Sequence, residues 1–269
     1  ILIPISNPQT MPQLLDLSNL IKQRNNKTLY ALKINNDPED TSGAKLLESA
    51  AKLASATDNK LVQIMKCDLN ISNCIIDTVQ ANKITDLIVG IHHKANIVDT
   101  FLGGTITALI NGTSHQNLII YGPKRPVNSV KRLVVTVPQM AELEIGFDLW
   151  FDRVKNIASQ LSIPIVFYAN KTTTEALKKQ CEIHSSLNVS FRELASWEDF
   201  LIISKDIKHS DTLIVITARK ATMSYNNLFE KIPYYLNKYF ADNNFLLIYP
   251  QQTAPDGTDN DIYNPLKIS

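Results

Sequence analysis

An α/β chain built from two doubly wound parallel-sheet units in tandem is the architecture that the 269 residues predict. Two observations carry this. Short β-branched runs alternate with longer amphipathic stretches, the pattern of βαβ units and a parallel sheet. The alternation breaks once, at Gly122-Pro-Lys-Arg-Pro126, and then starts again in the same order.

The first unit begins with the apolar run Leu2-Ile-Pro-Ile5. Leu14, Leu15, Leu17, Leu20 and Ile21 follow at helical spacing. Thr28–Ile34 reads as a strand, Thr41–Thr57 as a helix, Lys60–Met65 as a strand and Ser72–Lys83 as a helix. Asp86-Leu-Ile-Val-Gly90 is apolar between its ends, as expected of a central strand covered on both faces. Thr105–Asn111 is helical and Asn117–Tyr121 closes the unit. Two prolines flanking two basic residues make Gly122–Pro126 a solvated linker. Strands are then expected at Lys131–Val137, Pro164–Tyr168, Asn188–Leu194, Asp211–Ile216 and Asn244–Tyr249. Helices are expected between them at Glu142–Leu161, Thr174–His184, Trp197–Lys205 and Leu228–Tyr239.

Asp86-Leu-Ile-Val-Gly90 answers Asp211-Thr-Leu-Ile-Val215, and Asn117-Leu-Ile-Ile-Tyr121 answers Phe245-Leu-Leu-Ile-Tyr249. A repeat at domain-sized period points to duplication rather than a solenoid. The expected units are residues 1–123 and 129–250, followed by a polar tail, 251–269, that wraps loosely or is partly disordered.

Composition narrows the function. Lys and Arg number 27 against 26 Asp and Glu, a net charge of +1, which lacks the basic excess that a nucleic-acid partner requires. Three scattered cysteines, Cys67, Cys74 and Cys181, form no CxxC and suit reduced thiols in a cytoplasmic setting. No apolar run approaches the ~20 residues that span a bilayer, so this piece is expected to be soluble. The chain starts at Ile1 rather than Met, inside an apolar run, and is expected to be part of a longer polypeptide.

Catalytic signatures are missing: GxSxG, HExxH, GxxxxGK[ST] and spaced CxxC do not occur. The chain is therefore expected not to be an enzyme. The richest site signal is the stretch from Gly90 through His92 and His93 to Gly103-Gly104-Thr105, leaving the fourth strand. Ligands of parallel α/β sheets bind beyond the carboxyl ends of the strands, and a helix N-terminus opened by Gly-Gly-Thr can offer N–H groups to a phosphate. The same residues would equally serve as a tight turn with Thr105 as N-cap. His92-His93 suits a pH sensor, but no carboxylate or cysteine nearby completes a metal shell. In the second unit the corresponding loop, Thr217–Phe229, has no glycine; Arg219, Lys220, Ser224 and Tyr225 would there hold an anion or form a solvated basic turn.

A strand ending Gly-x-x-Gly, nine further residues, Gly-Ser/Thr, a helix and a final strand resembles the universal stress protein family, across nearly the whole chain as two copies. The resemblance implies a doubly wound, adenine nucleotide alpha hydrolase-like fold. It also implies ATP, AMP or another adenine nucleotide bound in the first copy by Pro4, Ile5, Ser6, Gly90, His92, His93, Gly103, Gly104 and Thr105. His93 stands where the family has its second glycine, and the last Gly-Thr either falls one place late, as Gly104-Thr105, or is read as Gly103-Gly104. The family's aspartate after the first strand is absent: Ser6-Asn7 follows, and the next acid is Asp16. The related nucleotidyl-transfer signatures, His-x-Gly-His and Ser-Gly-Gly-x-Asp-Ser, do not occur.

Val89-Gly-Ile-His-His93 together with Ala218–Phe229 and Asn243–Pro250 resembles the soluble C-terminal region of bacterial monovalent cation:proton antiporters. That resemblance implies a regulatory role on the cytoplasmic side of the inner membrane, with the membrane domain of the same polypeptide as partner. The alternative is a free-standing tandem universal stress protein. Pairing of last strands, a route to homodimers in the family, would here be met inside one chain as a pseudo-dimer.

Overall fold

A computed structural model of the chain describes residues 1–22, 28–37, 42–91, 104–182 and 187–253. The first half contributes β1 (Leu2–Pro4), α1 (Met11–Ile21), β2 (Leu29–Asn35), α2 (Ser42–Ser55), β3 (Leu61–Cys67), α3 (Ile71–Ala81), β4 (Asp86–Gly90), α4 (Gly104–Gly112) and β5 (Asn117–Gly122). The second contributes β6 (Arg132–Thr136), α5 (Phe147–Leu161), β7 (Ile165–Ala169), α6 (Lys171–Glu182), β8 (Val189–Glu193), α7 (Ile203–Asp206), β9 (Asp211–Ile216), α8 (Ile232–Tyr239) and β10 (Asn244–Tyr249).

The ten strands form one sheet in the order β3-β2-β1-β4-β5-β10-β9-β6-β7-β8. Each half therefore has the same strand order, read outward from the middle. Neighbours are parallel throughout except at the seam, where β5 and β10 run antiparallel with Leu247 opposite Ile120 and Phe245 opposite Gly122. A Cβ on Gly122 would come within 2.1 Å of the Phe245 ring, so only glycine lets the seam close there.

Burial follows hydropathy. β5, β9 and β10 are buried along their whole length because their residues are apolar on both faces, whereas β3 and β8, at the two edges, alternate between partly covered and exposed positions. One core lies beneath α1, α2, α5 and α6, the other beneath α3, α4 and α8, and each runs unbroken across the seam. α1 and α5 pack on each other over the seam. From α5, Asn156 donates to Ile21 O at 3.1 Å and Gln160 to Leu20 O at 2.8 Å, satisfying carbonyls that the end of α1 would otherwise leave open.

The only fully buried Arg–Asp pair among the described residues also crosses the halves. Asp86, at the start of β4, accepts from Arg153 Nε at 2.7 Å and Arg153 Nη2 at 3.0 Å, and both side chains are at most 2% exposed. Thr85 Oγ1 and Asn117 Nδ2 also donate to this carboxylate.

Several sequence expectations need correction. Gly122–Pro126 is not a solvated linker: Gly122 and Pro123 are buried, and the N–H groups of Lys124 and Arg125 donate to Asn244 Oδ1 at 2.6 and 2.9 Å. The helix expected from Glu142 starts only at Phe147, after a 3-10 turn at Ala141–Leu143 and Gly146 at the N-cap. The Leu228–Tyr239 helix is a 3-10 turn at Asn227–Lys231 followed by α8, because Pro233 lacks an N–H and fits only the first helical turn. Trp197–Lys205 divides in the same way, into a 3-10 segment Trp197–Ile202 and the short α7. The start of the tail is anchored: Gln251 N donates to Asn117 Oδ1 at 3.1 Å and Gln252 N to Ser114 O at 2.8 Å. No described helix is long and apolar enough to cross a membrane.

Candidate functional site

Strand order reverses between β1 and β4 in the first half and between β6 and β9 in the second. These are the points at which open α/β sheets place ligands, beyond the carboxyl ends of the strands. Pro4 ends β1 and runs into Ile5 and Ser6, while Gly90 ends β4 beside it, so the topology brings these four residues to one switch point. Backbone bonds hold both ends open as crossovers: Ile5 N donates to Leu32 O and Ile91 N to Tyr121 O, each at 2.8 Å. Gly104 and Thr105 form the exposed first turn of α4. His92, His93 and Gly103 lie outside the described residues.

Two of the candidate glycines have different physical causes. A Cβ on Gly90 would meet the Leu14 side chain of α1 at 3.0 Å, so packing against α1 favours glycine there. Nothing lies within 4 Å of a Cβ on Gly104. Its backbone, at the positive end of the α4 dipole, is accessible to an anion. Among the described residues no cluster of three His, Cys, Asp or Glu could hold a metal ion.

The second switch point is closed by the chain itself. Glu144, on the segment between β6 and α5, sends Oε1 to the loop after β9, where it accepts from Ser224 N at 2.9 Å and Ser224 Oγ at 2.8 Å. Thr173 Oγ1 binds the nearby Glu142 at 2.7 Å, which fastens the same segment. A carboxylate thus occupies an N–H plus hydroxyl pair of the kind that could receive an oxyanion. Glu144→Ala is expected to lower stability by about 1–3 kcal/mol, since two bonds to a charged acceptor are lost, with Glu144→Gln losing less. The urea midpoint measures both.

Arg219 is not a solvated turn. It is 5% exposed and reaches across the seam into the C-terminal end of α4. Nε donates to Ile110 O and Nη2 to Thr113 O, each at 2.7 Å, and Nη1 donates to Pro250 O. Its described partners are all uncharged oxygens, a fit for the five donors of a guanidinium and for the negative end of a helix dipole. Burial pushes its pKa down to about 10, which leaves it protonated at neutral pH. Lys220, its neighbour, is exposed and paired with Glu230 at 2.8 Å. The cysteines stay apart as free thiols, and burial raises Cys181 to about 11.

Glu144, Arg153 and the reach of Arg219 were not singled out by sequence reasoning. One signal was present: Asp86 is an acid heading an otherwise apolar, buried strand, and such a group demands a partner. Which arginine answers it, 67 residues away, is set by packing.

No protein-family model and no characterised protein sequence matches the chain significantly. Solved structures do. The cytoplasmic domain of a prokaryotic cation chloride cotransporter superposes with a TM-score of 0.65 at 13% identity, covering 93% of this chain and 95% of that one. A functionally unknown protein from Pseudomonas aeruginosa superposes with a TM-score of 0.62 at 14% identity over 93% and 92%. A universal stress protein from Archaeoglobus fulgidus follows at 0.58 and 11%, over 93% and 96%. At these identities the likeness speaks to the fold, and the chain has the universal stress protein-like doubly wound fold, shared end to end with a transporter's cytoplasmic domain.

Proposed function

We propose that the chain is a non-catalytic regulatory domain on the cytoplasmic side of a cation transporter, with an adenine nucleotide as the ligand of its first switch point. The observation that carries this reading is the end-to-end correspondence with a cotransporter's cytoplasmic domain, both halves included. Within it, residues 1–123 and 129–250 are treated as two copies of one unit. The first keeps an exposed helix N-terminus at Gly104 and Thr105; the second has the loop after β9 bound by Glu144. We place the chain with cation:proton antiporters on the sequence segments Val89–His93, Ala218–Phe229 and Asn243–Pro250, at the end of β4, after β9 and along β10. Its partner is then the membrane domain of the same polypeptide, and the seam between β5 and β10 serves as an internal pseudo-dimer contact. The universal stress protein match, equally complete, supports a free-standing nucleotide-binding protein as the second reading.

For a ligand to regulate a transporter it must bind one state better than the other. The first requirement is binding itself. Melting curves of the chain with ATP, ADP, AMP and cyclic dinucleotides are expected to shift upward for an adenine nucleotide. Ligand at 100 times Kd adds about 2.7 kcal/mol, roughly 5–10 °C for a chain of this length. Flat curves across the panel would remove the nucleotide from the proposal. Ion movement in vesicles bearing the full polypeptide tests the transporter class: cation-driven proton movement without chloride is the antiporter result, and chloride-dependent cation uptake without proton movement is the cotransporter result.

A further inference from the structure

A cleft of about 510 Å³ opens on the face of the sheet opposite α1 and α5, between α4 of the first half and α8 of the second. Its lining comes from α4, from the loop after β9 and the start of α8, and from Tyr249 at the end of β10, next to the seam. Its size falls within the range of sites that enclose a small molecule.

Its lining is unusual in composition. Tyr249 is 8% exposed and forms the base. Tyr225 and Phe229 make an edge-to-face pair at 5.9 Å along one wall, and Tyr234 stands at the rim, 50% exposed. Thr107 and Asn111 of α4, one bearing a hydroxyl and the other an amide, complete the lining. Aromatic walls with a few hydrogen-bonding groups suit a flat ring, which gains by stacking on the faces and by bonding along its edge.

Charge sets the sign of the ligand. Arg219 underlies the cleft, and its described partners are all uncharged oxygens, whereas Lys220 and Glu230 at the mouth cancel each other as an ion pair. The C-terminal end of α4 offsets only about half a charge. The region therefore remains net positive. Lys220 is exposed, and an incoming anion can draw it from Glu230 without unfolding anything.

We propose that this cleft binds a planar aromatic ring carrying an anionic group, of roughly nucleoside-monophosphate size, and that the bound ligand touches both halves of the chain at once. The site is independent of the transporter reading and of the nucleotide at the first switch point.

The fluorescent aromatic sulfonate 8-anilinonaphthalene-1-sulfonate is the probe, titrated into the whole chain, with AMP and adenosine as competitors. Saturable binding at one site per chain is expected, displaced better by AMP than by adenosine. Tyr234→Ala, at an exposed ring with little bearing on folding, should weaken the probe about tenfold. Lys220→Gln should weaken it about two- to fivefold, and Glu230→Gln should strengthen it by a similar factor. Thr105→Arg, which blocks the first turn of α4, should leave it unchanged. Absence of saturable binding overturns the proposal. So does a probe that responds to Thr105→Arg but not to Tyr234→Ala, because it then sits at the first switch point. Reversal of both effects, with Lys220→Gln strengthening and Glu230→Gln weakening the probe, would show that positive charge at the mouth does not hold the anion and would overturn it equally.

Discussion

Arg153→Leu is expected to destabilise the chain by about 3–5 kcal/mol, seen as a large fall in the urea midpoint. The cause is the carboxylate left behind. Asp86 would keep bonds from Thr85 and Asn117 but would lose the charge opposite it, at a position with no access to water. Against a total stability of about 5–15 kcal/mol, such a loss comes close to unfolding the chain. The double variant Asp86→Leu/Arg153→Leu is expected to recover part of the loss, since two buried charges removed together leave no uncompensated charge, although Thr85 Oγ1 and Asn117 Nδ2 lose an acceptor. If the single and double variants melt alike, the pair is not what couples β4 to α5. The ion pair joins the two halves, so its loss should also separate their unfolding, visible as two transitions where the parent shows one.

Arg219→Met is expected to cost about 2–4 kcal/mol, for a different reason. No partner charge is orphaned; instead the carbonyls of Ile110, Thr113 and Pro250 lose their donors in a buried place. Arg219→Lys should recover less than half, because an ammonium has three donors on a flexible stem and cannot span acceptors contributed by α4 and the strand end of β10. Hydrogen exchange discriminates this role from generic packing. It should quicken at residues 110–116 and 217–222 while the sheet interior stays protected. Uniform quickening would show that Arg219 serves only overall stability.

Much of the fold could be read from local pattern. Asp86–Gly90, Asp211–Ile216 and Asn244–Tyr249 coincide with the observed strands because a buried parallel strand needs an unbroken apolar run and carries its own boundaries. The ends of helices were less legible. Glu142 has a good helical neighbourhood, yet the segment up to Gly146 is drawn away by the bond from Glu144 to the loop after β9, a tertiary contact with no local mark. Gly122-Pro-Lys-Arg-Pro126 has the composition of an exposed linker but is held by Asn244, 120 residues on from Lys124.

The candidate site divides along the same line. Pro4–Ser6, Gly90, Gly104 and Thr105 were legible because parallel-sheet topology places strand ends and helix starts at a switch point whatever the details. Their causes were not: Gly90 answers to Leu14 on α1, and only the packed helix reveals that. In the second half the sequence showed that the glycines were gone, but not that a carboxylate had taken the seat. Arg219 read as an anion seat or a solvated basic turn, because Lys220 lies beside it and no acid is close in sequence. Its actual partners are backbone carbonyls, which have no residue-type signature at all.

Periodicity and apolar runs were enough to establish the class of fold and the order of its elements, since both depend on neighbours along the chain. How the halves join was decided by tertiary structure alone: the antiparallel seam of β5 with β10, the Asp86–Arg153 pair, the Arg219 clasp and the aromatic cleft beside it. Each is a meeting of groups some 30 to 130 residues apart, or of a side chain with a bare carbonyl, and its energy exists only once the halves have packed and excluded water.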